Sequence, residues 1–159
     1  MQRVFIWIAF CVCLIANSIA LGAPRVVFVN RSAPEGGNGE SWGSAHRFLQ
    51  DALFDARATA TSSSNAVEIW VAKGTYVTTE GVAFPPGDSG RSVSFQLANF
   101  VSVFGGFSGS ESSRFDRDAT LNTTILSGDI GGDDPAYGNR VSAADLDFGT
   151  FADNALTVV

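Results

Sequence analysis

The sequence predicts a mainly-β domain of the solenoid type with a single α-helix. Its apolar segments are short and are closed by glycines, of which the chain has 17, while charged residues make up only 16% of it. About 25% charged residues is usual for a globular domain. The strand-like segments also recur at roughly the 20 to 30 residues that one solenoid coil takes. On pattern alone, an antiparallel sandwich fits the same strands equally well.

The chain begins with the pattern of a secretory signal peptide. One basic residue is followed by an unbroken apolar run from Val4 to Ala16 and then by the small residues Ser18 and Ala20. This order is typical of secretory signals, so we expect residues 1–22 to be removed after Ala20 or Gly22. The alternative is an uncleaved anchor, but the run is shorter than the ~20 residues of a spanning helix. The sequence therefore predicts a secreted or cell-surface protein with no stable membrane span.

Cleavage would change the chemistry that the mature domain, residues 24–159, can perform. Cys11 and Cys13 both lie in the signal segment, so the mature chain lacks cysteine and cannot use cysteine catalysis or cysteine–zinc sites. Cleavage removes Arg3 and no acid, so nine basic and sixteen acidic residues remain and the formal charge is −7. Such a charge repels phosphate backbones, and we expect no nucleic-acid partner.

A strand and a helix open the mature domain. Val26 to Val29 has strand composition, and Asn30 to Gly39 is rich in turn residues. Ser41 or Ser44 is the expected helix cap. Seven apolar residues then follow one helical face: Ala45, Phe48, Leu49, Ala52, Leu53, Ala56 and Ala60.

Short strands make up the rest of the pattern. Val67 to Val71 alternates with one apolar face, and four further strand-like segments follow: Ser94–Leu97, Val101–Phe104, Thr124–Leu126 and Leu156–Val159. The steps are 32 residues from Val71 to Val103, 23 from Val103 to Leu126 and 32 from Leu126 to Val158. The longer steps predict coils with inserted loops, at Thr78–Arg91 and Ile130–Asp153.

Several stretches carry a resemblance to a known family. They include Phe28-Val29-Asn30, Phe48-Leu49-Gln50-Asp51-Ala52-Leu53, Glu68 to Tyr76, Val101-Ser102-Val103-Phe104-Gly105-Gly106-Phe107 and Thr124 to Ile130. Together they resemble the N-terminal portion of bacterial extracellular right-handed parallel β-helix proteins of the pectin-lyase-like superfamily. The resemblance implies a right-handed parallel β-helix whose first coils are capped by the one α-helix. Because the chain stops in mid-strand at Val159 without a polar cap, we expect a truncated chain or a fragment of a longer protein.

An acidic cluster is the candidate metal site. Asp129, Asp133 and Asp134 lie in a glycine-containing loop that follows a strand, with Asp145 and Asp147 further on. Calcium takes six to eight oxygen ligands from carboxylates, carbonyls and water, so calcium is the cofactor that this loop would hold. The alternative is a solvated loop, because the spacing does not match an EF-hand.

Two aromatic residues are candidates for stacking on sugar rings, Trp42 and Tyr76, although packing at the helix start is the alternative for Trp42. Trp70 alternates within a strand and is expected in the core.

No residues are predicted to be catalytic, since His46 is the only histidine and has no nucleophile motif beside it. We expect His46 on the helix surface. Arg114 and Arg117 are expected to pair with their acidic neighbours.

The function predicted from these observations is a secreted or cell-surface module, non-catalytic by itself, that contacts polysaccharide or other surface components. The alternative is the N-terminal part of a polysaccharide lyase or glycoside hydrolase whose active site lies on later coils.

Overall fold

The computed structural model describes residues 23–82 and 89–134. The elements are strand β1 (Arg25–Val29), helix α1 (Leu49–Thr59) and strands β2 (Val67–Ala72), β3 (Gly74–Val77), β4 (Val101–Phe107) and β5 (Thr124–Ser127). Short 3-10 turns occur at Trp42–Ser44, Ser63–Asn65 and Arg114–Asp116. The predicted signal peptide 1–22 with its cysteines, the acids Asp145 and Asp147, the strand Leu156–Val159 and the predicted truncation lie outside the described residues.

The strands form two small parallel sheets. The first has the order β1-β2-β4 and the second pairs β3 with β5. In the first sheet Phe28 lies opposite Trp70, and Trp70 lies opposite Phe104. Every named pairing is parallel, so the antiparallel sandwich is not what the described strands form. Parallel neighbours need a long connection rather than a tight turn, and α1 provides it between β1 and β2.

The prediction of a right-handed parallel β-helix with a capping helix is wrong. The described residues form a three-stranded and a two-stranded parallel sheet with one helix, and no solenoid is detected in them. A solenoid turn repeats its strands from coil to coil, whereas β1 has no counterpart in the second sheet. The segment Ser94–Leu97, predicted as a strand, is irregular. Regular spacing of short strands did not distinguish a solenoid from two small sheets.

The core lies between α1 and one face of the first sheet. Val27, Ile69 and Val71 on that face are fully buried, and the helix covers them with an apolar stripe: Leu49, Ala52, Leu53, Ala56 and the following Ala60. Burying one such branched side chain stabilises a fold by about 1.5 to 3 kcal/mol. The predicted helical face is confirmed from Leu49 to Ala60, and it explains why the helix lies flat on the sheet, but the predicted members Ala45 and Phe48 precede the helix.

The helix begins later than the sequence predicted. The Ser41 side chain accepts a hydrogen bond from the Ser44 backbone N–H at 3.2 Å, and so caps a separate 3-10 turn. His46 then runs parallel to β1: its N–H donates to the Phe28 carbonyl, and its carbonyl accepts from the Asn30 N–H, each at 2.9 Å. This backbone pairing holds the segment extended and delays the helix.

Candidate functional site: the aromatic and arginine surface

The outer face of the first sheet carries a cluster of aromatic rings. Phe28, Trp70 and Phe104 are aligned across the three strands. Trp42 packs edge-on against Phe28 at 4.8 Å between centroids. Phe107 stacks on Trp70 at 4.9 Å with an interplanar angle of 8°. Aromatic pairs in these geometries contribute about 0.5 to 1.5 kcal/mol beyond the energy of the area that they bury. The cluster is therefore a rigid support for the side chains that pack on it.

Glu111 closes the loop that fixes Trp42. The Trp42 indole Nε1–H donates to the Glu111 carbonyl oxygen at 2.8 Å. The Glu111 carboxylate accepts backbone N–H groups of Ser108 at 2.6 Å, Gly109 at 3.1 Å and Ser110 at 3.0 Å. Partial burial acts to raise the pKa of Glu111, but hydrogen bonds from the backbone N–H groups of Ser108, Ser110 and Glu111 itself lower it to about 2. The ionised carboxylate therefore holds this loop against the aromatic cluster.

Arg114 lies above the cluster in a fixed orientation. Its guanidinium pairs with the Glu68 carboxylate at 2.6 Å, and Glu68 also accepts the Trp70 indole N–H at 2.9 Å. The guanidinium carbon is 4.8 Å from the Phe104 ring centroid and 5.2 Å from that of Phe115. A guanidinium within about 6 Å of an aromatic face is attracted by the ring quadrupole. Arg114 therefore links the sheet to the exposed Phe115 ring.

Phe115 is a large apolar side chain held in solvent. It is 85% exposed. Its backbone N–H donates to the Ser113 hydroxyl at 3.3 Å, which fixes the turn that presents the ring. An isolated exposed apolar residue is ordinary, but an exposed aromatic beside concave surface suggests a binding site.

Two hollows open beside this ring. One has a volume of about 570 Å³ and is lined by Phe104, Arg114, Phe115, Arg117 and Ala119. A second, of about 310 Å³, shares Arg114 and Phe115 and extends to Trp70 and Val26. Both volumes fall within the roughly 300 to 1,000 Å³ of ligand sites. We call Phe104, Arg114, Phe115 and Arg117 the Phe115 surface.

Arg117 completes this surface. Its guanidinium donates to the Gly105 carbonyl at 3.2 Å and lies 5.5 Å from the Phe104 ring centroid. In the described part of the chain neither Arg114 nor Arg117 pairs with Asp116 or Asp118, so that prediction is wrong. The Asp118 carboxylate instead accepts the backbone N–H groups of the next turn, at Thr120 and Leu121. The Asp118 carboxylate thus caps the following turn instead of forming an ion pair with either arginine.

The two predicted stacking residues have different environments. Trp42 is half-buried in the aromatic cluster, where it holds the Glu111 loop rather than the start of α1. Tyr76 is fully buried, its hydroxyl donates to the Ala72 carbonyl at 2.9 Å, and the Arg31 N–H donates to it at 3.2 Å. Burial is the main cause of its raised pKa. The ring face of Tyr76 is therefore closed to a ligand in this structure.

The predicted acidic cluster is brought together. Carboxylate oxygens of Asp129, Asp133 and Asp134 lie within 4.8 Å of one another. The Asp129 carboxylate accepts three backbone N–H groups, those of Gly132 at 2.7 Å, Asp133 at 3.2 Å and Asp134 at 3.3 Å. These bonds close the loop, and calcium binding here stays a prediction.

The single histidine, His46, was predicted on the helix surface, and that prediction is wrong. The residue is buried and lies before the helix begins. Its Nε2 lies 3.0 Å from the Asp55 carboxylate on α1. Pairing of His46 with β1 turns its side chain toward the helix, which the helical pattern could not reveal. The arrangement ties α1 to the segment that precedes it.

Phe115 is the functional candidate that the sequence argument missed. It lies outside every predicted strand, between Arg114 and Asp116, in a polar stretch that begins at Ser108. A lone aromatic in such a stretch, where no core position needs it, was the available signal.

No protein-family model, curated protein or solved structure matches the chain. Within residues 23–82 and 89–134, no helix has the length and apolar character needed to cross a membrane.

Proposed function

We propose that this protein is a secreted or cell-surface module that binds polysaccharide through the Phe115 surface and catalyses no reaction. The observation that carries the proposal is the 85% exposure of Phe115 between two hollows, beside two guanidinium groups. A sugar ring has an apolar C–H face and a rim of hydroxyls. The Phe115 ring suits the face, and the arginine N–H groups suit the rim.

The supporting argument from energetics is preorganisation. Glu68 fixes Arg114, and Arg114 contacts the Phe115 ring, so little side-chain freedom remains to be lost when a ligand binds. Immobilising a flexible side chain on binding otherwise costs about 0.5 to 1.5 kcal/mol. Covering even half of the Phe115 ring would contribute about 1 kcal/mol. A polymer can bind through several weak contacts of this kind. A surface open to solvent accommodates such a polymer better than an enclosed pocket does.

The location is supported by the N-terminal sequence. The apolar run from Val4 to Ala16, followed by Ser18 and Ala20, is the pattern on which export depends. We expect the exported protein to begin at Leu21 or Ala23, which N-terminal sequencing of protein from the culture medium or cell surface would establish. Retention inside the cell with Met1 intact would contradict the proposed location.

Binding can be tested by native gel electrophoresis through gels that contain dissolved polysaccharide. The chain has a formal charge of −6 and will migrate toward the anode, and binding will retard it. We expect Phe115→Ala to weaken retardation about tenfold, which corresponds to about 1.4 kcal/mol.

The matched control is Phe54→Ala. Phe54 is 74% exposed on α1 and lines a hollow of about 370 Å³ with Arg57, but it is not part of the aromatic cluster. Equal loss in the two variants, or retardation by no polysaccharide, would contradict the proposed function.

A further inference from the structure

We infer that the polysaccharide bound by the Phe115 surface is uncharged, an inference that rests on the proposed function and specifies its ligand. The presence of two arginines at first suggests an anionic ligand. The surroundings of each arginine argue against that interpretation, and they do so in different ways.

The charge of Arg114 is already matched. Its guanidinium lies 2.6 Å from Glu68, whose side chain is 14% exposed, and its carbon lies 4.8 Å and 5.2 Å from the ring centroids of Phe104 and Phe115. An anionic ligand would have to displace or share this partner, and it would approach a carboxylate that is partly buried beside the ring. Like charges brought together in this way oppose binding.

Arg117 forms no ion pair within the described residues, and its guanidinium donates a hydrogen bond to the Gly105 carbonyl. Its charge acts within a protein whose overall charge is negative. The chain as a whole has a formal charge of −6. The long-range field repels a polyanion before any contact forms.

What Arg117 does offer is a rigid set of hydrogen-bond donors. A guanidinium has five N–H groups, and the Gly105 carbonyl accepts one of those of Arg117 at 3.2 Å. That bond and the Phe104 ring below fix the plane of the group. A fixed fork of donors beside an exposed aromatic ring matches the hydroxyl rim and apolar face of a neutral sugar, and it needs no charge on the ligand.

The test uses pairs of polymers that share a backbone but carry neutral or anionic groups: hydroxyethyl cellulose with carboxymethyl cellulose, and dextran with dextran sulfate. In native affinity gels we expect the neutral member of at least one pair to retard the protein at about tenfold lower concentration than its anionic partner. Retardation should change less than about twofold between roughly 50 and 500 mM salt, because screening acts on charged contacts.

Arg117→Lys separates charge from geometry in the same gels. Lysine keeps the positive charge but loses the planar fork, so we expect about fivefold weaker retardation by the neutral polymer. Arg57→Lys, next to Phe54 on α1, is the matched control and should leave retardation unchanged.

The possible outcomes are distinguishable. Stronger or equal binding of the anionic members, steep loss of binding with salt, or full retention in Arg117→Lys would overturn this inference and leave polysaccharide binding in place. Binding to neither member of either pair would remove both the inference and the proposed function.

Discussion

The two faces of the three-stranded sheet use the same strands for different purposes. Toward α1, β2 presents the aliphatic residues Val67, Ile69 and Val71, all buried under the helix. On the opposite face it presents Glu68 and Trp70, which join a network of rings and an ion pair that reaches the surface. Alternation along a strand sends successive side chains to opposite faces. One short strand thus supports both the core and the candidate site.

This difference shows how stability and recognition are separated in a small domain. The inner face is covered by an element of the fold, so its residues need only fit each other. The outer face is covered only in part, by the Glu111 loop and by Arg114, and its outermost ring is left in solvent. Substitutions on the inner face should change stability alone, whereas those around Arg114 should change binding.

The largest effect is expected on the inner face. Ile69 is fully buried, and Ile69→Ala should lower the free energy of unfolding by about 2 to 5 kcal/mol through lost burial and a residual cavity. Urea unfolding, monitored by circular dichroism, measures this loss in the free energy of unfolding. Ile125→Ala on β5, where the side chain is 49% exposed, is the control and should cost much less. Similar losses in both variants would contradict the assignment of Ile69 to the core.

On the outer face, Trp42→Phe should have a smaller effect. The substitution keeps an aromatic ring but removes the N–H that donates to the Glu111 carbonyl at 2.8 Å. Losing such a bond costs about 0.5 to 1.5 kcal/mol, which urea unfolding would detect. An unchanged free energy of unfolding would show that the Glu111 loop does not depend on Trp42.

Removing one charge should separate binding from stability. Glu68→Gln keeps an acceptor for the Trp70 indole but loses the ion pair with Arg114, so we expect about threefold weaker polysaccharide retardation, under 1 kcal/mol in binding free energy. Glu80→Gln breaks a matched 2.6 Å pair with Arg31 elsewhere in the molecule and should leave retardation unchanged. If the two variants bind alike, Arg114 does not position Phe115.

The last prediction concerns pH. The pKa of Glu111 is lowered in the fold from an ordinary value of 4.5 to about 2. Because the fold favours the ionised form, the contribution of Glu111 to stability is complete above about pH 4.5 and is lost as the pH falls through about 2. Melting temperatures measured across that range should fall more for the wild-type protein than for Glu111→Gln. Parallel curves would show that the carboxylate does not stabilise the loop.

The sequence was informative where pattern and packing agree. The stripe from Leu49 to Ala60 predicted the buried face of α1, and alternation from Val67 to Val71 predicted β2 and the burial of Trp70. It failed where distant backbone partners decide the outcome. Pairing of His46 with β1 delayed the helix, and the spacing of strands suggested a solenoid that the two small sheets do not form.

The candidate site was harder to predict because its parts are far apart in the chain. Glu68 and Arg114 are 46 residues apart in the chain. Local sequence patterns do not connect residues at that separation. The clustering of Asp129, Asp133 and Asp134 could be predicted because the three residues share one loop. It proposed Tyr76 for stacking because composition identifies a ring but not its exposure.

The most direct test of the account is to observe Phe115 while polysaccharide binds. The chain contains 13 phenylalanines, and fluorine-labelled phenylalanine would report on each of them by NMR, with Phe115→Leu and Phe54→Leu assigning the signals of those two residues. On addition of the neutral polymer that retards the protein, we predict that the Phe115 signal shifts and that the Phe54 signal does not. A shift at Phe54 with none at Phe115 would contradict the assignment of binding to the outer face of the sheet.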